Sequence, residues 1–436
     1  MAATNQKILG QIISLSRSIT FQEPVGEEGF KLQFIARIPT LQLPGVGPSI
    51  TLWKTKRSFR AAENTARMVR FSHPETADCD TDSIEDLIAR TIEDLILDQS
   101  VFDIELVTSV SQNSLADCRA DADINQFSQK IYFHLMVRVR ASIDKWCTAL
   151  GVPRVICESF EISKIGLAII SRMDAGKWEE VVSSCYETNN WSHQLGCMRG
   201  SGGPPLFGLE CTSIVVHQSN GTRKGSKFSS RLEFAKFFAI LYATATAQED
   251  LKLHRAMAEP YTWCIQFPSR TSRGLQVTQS ELEEAVFPFF CTDLKLTNEA
   301  VESIKAWYAG LSGLSIRQRA RVEKACHFVN RGMMTRGLDS YVNFFISLDA
   351  LFGSPGDVGR SILRGVESMP IDNALKERVS WLYELRSELV HGGSRFCAEW
   401  KDYDRYYTHF RTKPEEDVNL IACSALLYST KNAEML

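Results

Sequence analysis

Leu382-Tyr-Glu-Leu-Arg386-Ser-Glu-Leu-Val-His391-Gly-Gly393 is the stretch on which the reading of this chain turns. Through it, Leu375, Val379, Leu382 and Leu389 recur at spacings of four, three and seven, the rhythm of one helical face. Arg386 falls on that seam, four residues after Leu382 and three before Leu389. A guanidinium on an apolar stripe is costly unless it is paired, so it is either bridged within the protein or held for an anion. Gly392-Gly393 supplies the left-handed turn that commonly closes a helix. His391 therefore sits at the helix edge, about one and a half turns beyond Arg386. A fixed cation beside a titratable imidazole is a minimal kit for phosphodiester chemistry.

Composition bounds the rest. At 436 residues the chain is long enough for two or three domains, and 44% hydrophobic with 23% charged residues is a globular balance. A net charge of −3 gives no global basic signature, so any nucleic-acid contact must come from a local patch. The 12 cysteines are scattered, with no Cys-x-x-Cys pair and no histidines at zinc-ligand spacing. Reduced, packed thiols are expected, with no metal and no cofactor. The apolar run from Ile8 is short and broken by Gln11 and Ser14, unlike a signal peptide. No stretch reaches the roughly eighteen apolar residues of a membrane span, so a cytoplasmic protein is expected.

Upstream, residues 8–20 read as a helix and Lys31–Ile38 with Ile50–Lys56 as a hairpin around the turn chemistry of Leu43–Ser49. Lys54, Lys56, Arg57, Arg60, Arg67 and Arg70 form the most basic run of this half. It is either a solvated face or a surface for RNA phosphates, with Lys54, Lys56 and Arg57 the candidates. Asp80–Ser83 caps a helix from Ile84 to about Leu97. Strands are expected at Val101–Thr108, Lys130–Arg140, Ser159–Ile170 and Leu206–His217, while Trp178–Trp191 is ambiguous. Gly200–Pro205 reads as a turn or linker and Gly221–Lys227 as a basic hairpin tip. A helix over Leu232–Ala247, a strand at Tyr261–Phe267 and a helix from Thr278 towards Phe290 follow.

After Thr297 the pattern is helical, over 297–311, 315–331, 336–352, 356–369, 372–391, 396–411 and 414–430. The expected fold class is α+β: a mixed α/β region over residues 1–290, divisible near 200, then an all-α helical bundle over 297–436. Asn343–Gly353 ends one of these helices, Asp357–Ser368 forms another, and Arg386-Ser-Glu-Leu-Val-His391-Gly ends the next. That order resembles the C-terminal HEPN domain of ApeA-like bacterial proteins. There a helix ending near Leu-Glu-Ala-Leu precedes one ending Tyr-x-x-Arg-Ser-x-x-Val-His-Gly. Asp349 stands here at the glutamate position.

The resemblance implies a homodimer of helical bundles and a metal-independent endoribonuclease of a toxin or antiviral system, with RNA as substrate. A ribose 2′-hydroxyl must lose a proton and the leaving 5′-oxygen must gain one, work suited to an imidazole. The phosphorane charge suits a planar, forked donor. The roles that follow are His391 as general base or acid and Arg386 as phosphate clamp, with Glu388 or Asp349 orienting them. Residues 1–290 then sense a trigger ligand or protein. Alternatively Arg386 pairs with Asp349 or Glu384 and His391 caps its helix, in a domain used for dimerisation or for binding nucleic acid or protein. Arg405 and Tyr406 on the next helix are candidates to contact RNA bases, or members of an aromatic packing face.

Overall fold

A computed structural model describes residues 2–21, 23–24, 28–35, 49–96, 98, 100–103, 114–171, 174, 211–248, 262–268 and 278–432. The fold class is α+β, and the C-terminal region is helical. The chain divides into two compact units, 1–146 with 219–228, and 147–218 with 229–436.

The first unit is built on α1 (Ala2–Ser18), α2 (Lys56–Ser72), α3 (Thr81–Leu95) and α4 (Ile124–Ser142). β2 (Gly29–Ile35) pairs antiparallel with β3 (Ser49–Thr55), the hairpin expected from the turn residues between them, and β1 (Ile19–Thr20) lies on β3's other side. Asp80 caps α3 as expected, accepting from the Ser83 N–H at 2.8 Å. One expected strand is a helix instead. In 130–140, aromatic and β-branched residues suggest a strand, but Phe127, Ile131, Leu135 and Val139 recur at four-residue spacing and bury one face of α4. The core of this unit gathers Ile8, Ile12, Val69, Ile84, Ile88, Phe102 and Phe127.

Residues 221–227 are not a hairpin tip. Arg223 begins the long helix α5 (Arg223–Gln248), and its first turn is held by a distant carboxylate. Asp80 Oδ2 accepts from Thr222 Oγ1 at 2.6 Å and from the Gly225 N–H at 3.1 Å. A Cβ built on Gly225 would lie 2.1 Å from the Asp78 carbonyl oxygen, so the approach requires glycine. Gly225→Ala is expected to destabilise by roughly 1–3 kcal/mol or more, since backbone and not a flexible side chain must move. Chemical unfolding of the variant checks this. Burial alone would raise the Asp80 carboxyl pKa, but hydrogen bonds from Thr222 and Ser83 hold it below the usual range. A depressed folded pKa gives stability that is present above the ordinary aspartate pKa of about 4 and is lost as pH falls through the folded value. Unfolding midpoints of wild type and Asp80→Asn should therefore differ near neutrality and converge in acid.

The second unit contains a six-stranded sheet in the order β10-β9-β4-β8-β7-β6. These strands are Thr278–Glu281, Trp263–Pro268, Asp144–Pro153, Cys211–Gly221, Leu167–Ser171 and Phe160–Ile162. The single strand expected over 159–170 is broken by a turn at Ser163–Ile165, closed by Gly166 at φ +63°. The helix expected from Thr278 is instead β10, whose four residues pair antiparallel with β9. A short parallel pair joins β5 (Val155–Ile156) to β11 (Leu294–Lys295). The expected elements at Val101–Thr108 and Trp178–Trp191, the Gly200–Pro205 loop and the proposed division near 200 fall largely or wholly outside the described residues.

The C-terminal helices match the expected order closely: α6 (Asn298–Gly313), α7 (Ile316–Met334), α8 (Gly337–Phe352), α9 (Val358–Glu367), α10 (Asn373–Val390), α11 (Tyr403–Phe410) and α12 (Pro414–Tyr428). Ser315 and Gln318 form a complete capping box on α7. A Cβ on Gly332 would meet the Phe344 ring at 2.9 Å, the close approach that lets α7 and α8 pack as a hairpin. The shift from strand to helix at 290–300 is not a break in the core. One apolar cluster runs from Leu150 and Ile169 through Phe234, Phe238 and Phe290 to Phe345, Leu385 and Leu426. Tyr242 of α5 stacks between Phe290 and Phe344 and accepts from Asn419 Nδ2 at 2.7 Å. No helix among the described residues is long and apolar enough to cross a membrane.

Candidate active site

α10 begins with Asp372 capping the Ala374 N–H at 3.0 Å and buries Val379, Leu382, Leu385 and Leu389. Its end is a Schellman closure: the Gly393 N–H reaches the Glu388 carbonyl at 2.8 Å and the Gly392 N–H the Leu389 carbonyl at 3.4 Å. Gly392 takes φ +78°, which a side chain would strain. His391 is the capping residue itself, at φ −90° and ψ 5°, and is exposed to solvent.

Arg386 is half-buried and makes no ion pair or hydrogen bond among the described residues. The structure does not form the pairing with Asp349 or Glu384 that would have made it structural. Glu384 is exposed. Asp349 lies in the last turn of α8, in the field of Arg321 from α7. Arg321 donates to the Ala350 carbonyl at 3.1 Å and the Gly353 carbonyl at 2.8 Å, closing that helix end.

α8 and α10 meet through Tyr341 and Phe345. Tyr341 donates to the Leu382 carbonyl at 2.5 Å, Arg386 acts on its buried phenol, and Phe345 meets Tyr383. Glu388 is drawn towards the helix end by Ser394, whose hydroxyl donates to its Oε1 at 3.4 Å.

The neighbouring guanidinium on the same helix shows the contrast. Arg378, two turns earlier, pairs with Asp417 at 2.5 Å, and Asp417 also accepts from Tyr406 and Thr412 at 2.6 Å each. Arg386 has no such carboxylate. Arg386 and His391 leave the helix about 140° apart, because five residues advance about 500° around the axis. Within one chain they are presented in different directions.

The other candidates are dispersed. Tyr406 is corrected from an RNA contact to a core residue: it is fully buried, with its ring among Trp381, Trp400 and Phe410. Burial and Asp417 push its phenol pKa far up, which keeps it a donor. Arg405 is exposed and lies over the Trp381 ring at 4.8 Å. Lys54 is half-buried on β3, where burial lowers its pKa against the opposing charges of Glu93 and Asp86. Lys56 pairs with Glu28 at 3.2 Å in full solvent, a contact of little energetic weight. Arg57 is exposed in the first turn of α2. Among the described residues no group of three or more His, Cys, Asp or Glu side chains could hold a metal ion.

No family model, no curated protein and no solved structure matches the chain.

Proposed function

We propose that the chain is a metal-independent endoribonuclease of the HEPN type, an effector in a bacterial toxin or antiphage defence system. In this reading it is a cytoplasmic homodimer whose region 1–290 senses the trigger. The observation that carries it is Arg386: a half-buried guanidinium without a carboxylate partner among the described residues, five residues before an exposed histidine. An uncompensated cation at a helix surface is a standing site for an anion, and a forked one suits a phosphate.

His391 takes the proton from the ribose 2′-hydroxyl as its oxygen attacks phosphorus, or returns one to the departing 5′-oxygen. Arg386 neutralises the charge that builds on the non-bridging oxygens. The roughly 140° between the two side chains requires a second copy to bring one chain's imidazole to the other's guanidinium. In this reading Glu388, three residues before His391 on the same helix, orients it, while Asp349 pairs with neither Arg386 nor His391 among the described residues. Purified protein should cleave RNA in EDTA, and both Arg386→Ala and His391→Ala should slow cleavage by at least about 10²-fold while the helical content stays unchanged. Full activity in either variant would sink the proposal.

The separation of Arg386 and His391 within one chain also favours a second reading, an inactive HEPN-like module that dimerises and binds nucleic acid or protein. It predicts no EDTA-resistant cleavage. It also predicts RNA binding weakened by Arg57→Ala and Arg60→Ala, with a salt slope shallower by about one for each phosphate that is no longer neutralised.

A further inference from the structure

His327, Asn330 and Arg331 stand at i, i+3 and i+4 of α7, a spacing that puts all three on one helical face. In the second unit that face opens onto a cleft of about 320 Å³, opposite Arg231 of α5 and the segment around Glu284 and Val286. The volume is at the lower end of the range for small-ligand pockets. We infer that this cleft binds a mononucleotide, with the phosphate on Arg331, Arg231 and His327 and the base or ribose against Asn330, Val286 and Met334.

The cations are set for an incoming anion. Arg331 is exposed on the rim and makes no ion pair among the described residues. The Arg231 side chain is only 14% exposed, and two of its contacts, to Glu284 (3.3 Å) and Glu283 (3.8 Å), are with carboxylates that are 63% and 72% exposed. Ion pairs with such solvated carboxylates are weak. His327 is half-buried between these arginines, and burial, then Arg331 and Arg231, lowers its pKa while Glu284 opposes them. A dianionic phosphate there would relieve the repulsion and accept from all three groups.

The polar end for the nucleoside is Asn330, 5% exposed. Its Nδ2 is committed to the Val286 carbonyl at 2.8 Å, and its Oδ1 accepts no hydrogen bond among the described residues. That oxygen is not sealed from solvent, so it can accept from a ligand in the cleft, such as an exocyclic amine or a ribose hydroxyl. Met334, one turn after Asn330, and Val286 supply apolar surface for the body of the ligand.

Calorimetric titration of the full chain with AMP, inorganic phosphate and adenosine tests the assignment. AMP should bind saturably and more tightly than either phosphate or adenosine. Arg331→Glu, a change on the solvent-exposed rim, and His327→Ala should each weaken AMP by at least about tenfold. Arg386→Ala should leave AMP binding unchanged, which separates this cleft from the proposed cleavage site. No saturable AMP binding at millimolar concentration, equal affinity for phosphate and AMP, undiminished affinity in Arg331→Glu, or loss of binding in Arg386→Ala would each overturn it.

Discussion

Asp417→Ala is expected to lower the stability of the helical region by about 3–5 kcal/mol, because it leaves Arg378 in a nearly closed site without its counter-charge. Asp417 is 2% exposed and accepts from Arg378, Tyr406 and Thr412 at once. The surrounding rings deepen the dependence: Phe410 lies 5.0 Å from the Arg378 guanidinium, and Trp381 and Trp400 pack on Tyr406. Asp417→Asn keeps an acceptor for both hydroxyls and should cost less. Chemical unfolding followed by tryptophan fluorescence reads the change where Trp381 and Trp400 sit. A change below about 1 kcal/mol for the alanine variant, the size of one ordinary hydrogen bond, would show that the network is not integral to the fold.

Arg386→Ala is expected to reduce EDTA-resistant RNA cleavage by about 10²–10³-fold, the usual consequence of removing one donor from a developing oxyanion. The fold should tolerate it. Arg386 makes no ion pair or hydrogen bond among the described residues, so truncation strands no buried partner. Arg386→Lys keeps the charge but not the fork, and should recover only part of the rate. Single-turnover cleavage of a labelled RNA separates the two variants. Equal rates for wild type, lysine and alanine would remove Arg386 from the chemistry.

The contrast between Arg378 and Arg386 also shows what the sequence can reveal. Both arginines sit on one helix, and spacing alone singles out Arg386 because it interrupts the Leu382–Leu389 seam. That Arg378 is the one with a buried carboxylate depends on Asp417, 39 residues away, which no local pattern exposes. Asp349 is drawn towards Arg386 by its place in the expected motif, but in the structure it lies in the field of Arg321 and pairs with no arginine of α10 among the described residues. Tyr406 looks available in the sequence because Tyr403, Tyr406 and Tyr407 cluster there, whereas helical geometry buries Tyr406 and leaves Tyr407 45% exposed.

Helices from 297 onward are legible because their apolar periodicity and caps are local. Ser315 and Gln318, for instance, announce α7 within four residues. The misreadings lie where local propensity and long-range contacts disagree. β-forming residues populate α4, and the basic start of α5 depends on Asp80, about 140 residues upstream. The strand β10 exists because β9 pairs with it, although Gln279–Glu284 would suit a helix.

The central claim is that His391 moves a proton in RNA cleavage. Total RNA incubated in EDTA with equal amounts of wild-type and His391→Ala protein tests it most directly. Cleavage by wild type and a fall of about 10²–10⁴-fold in the variant is the predicted result, the ordinary contribution of a general acid or base. Cleavage at the wild-type rate by His391→Ala, or none by wild type, would contradict it.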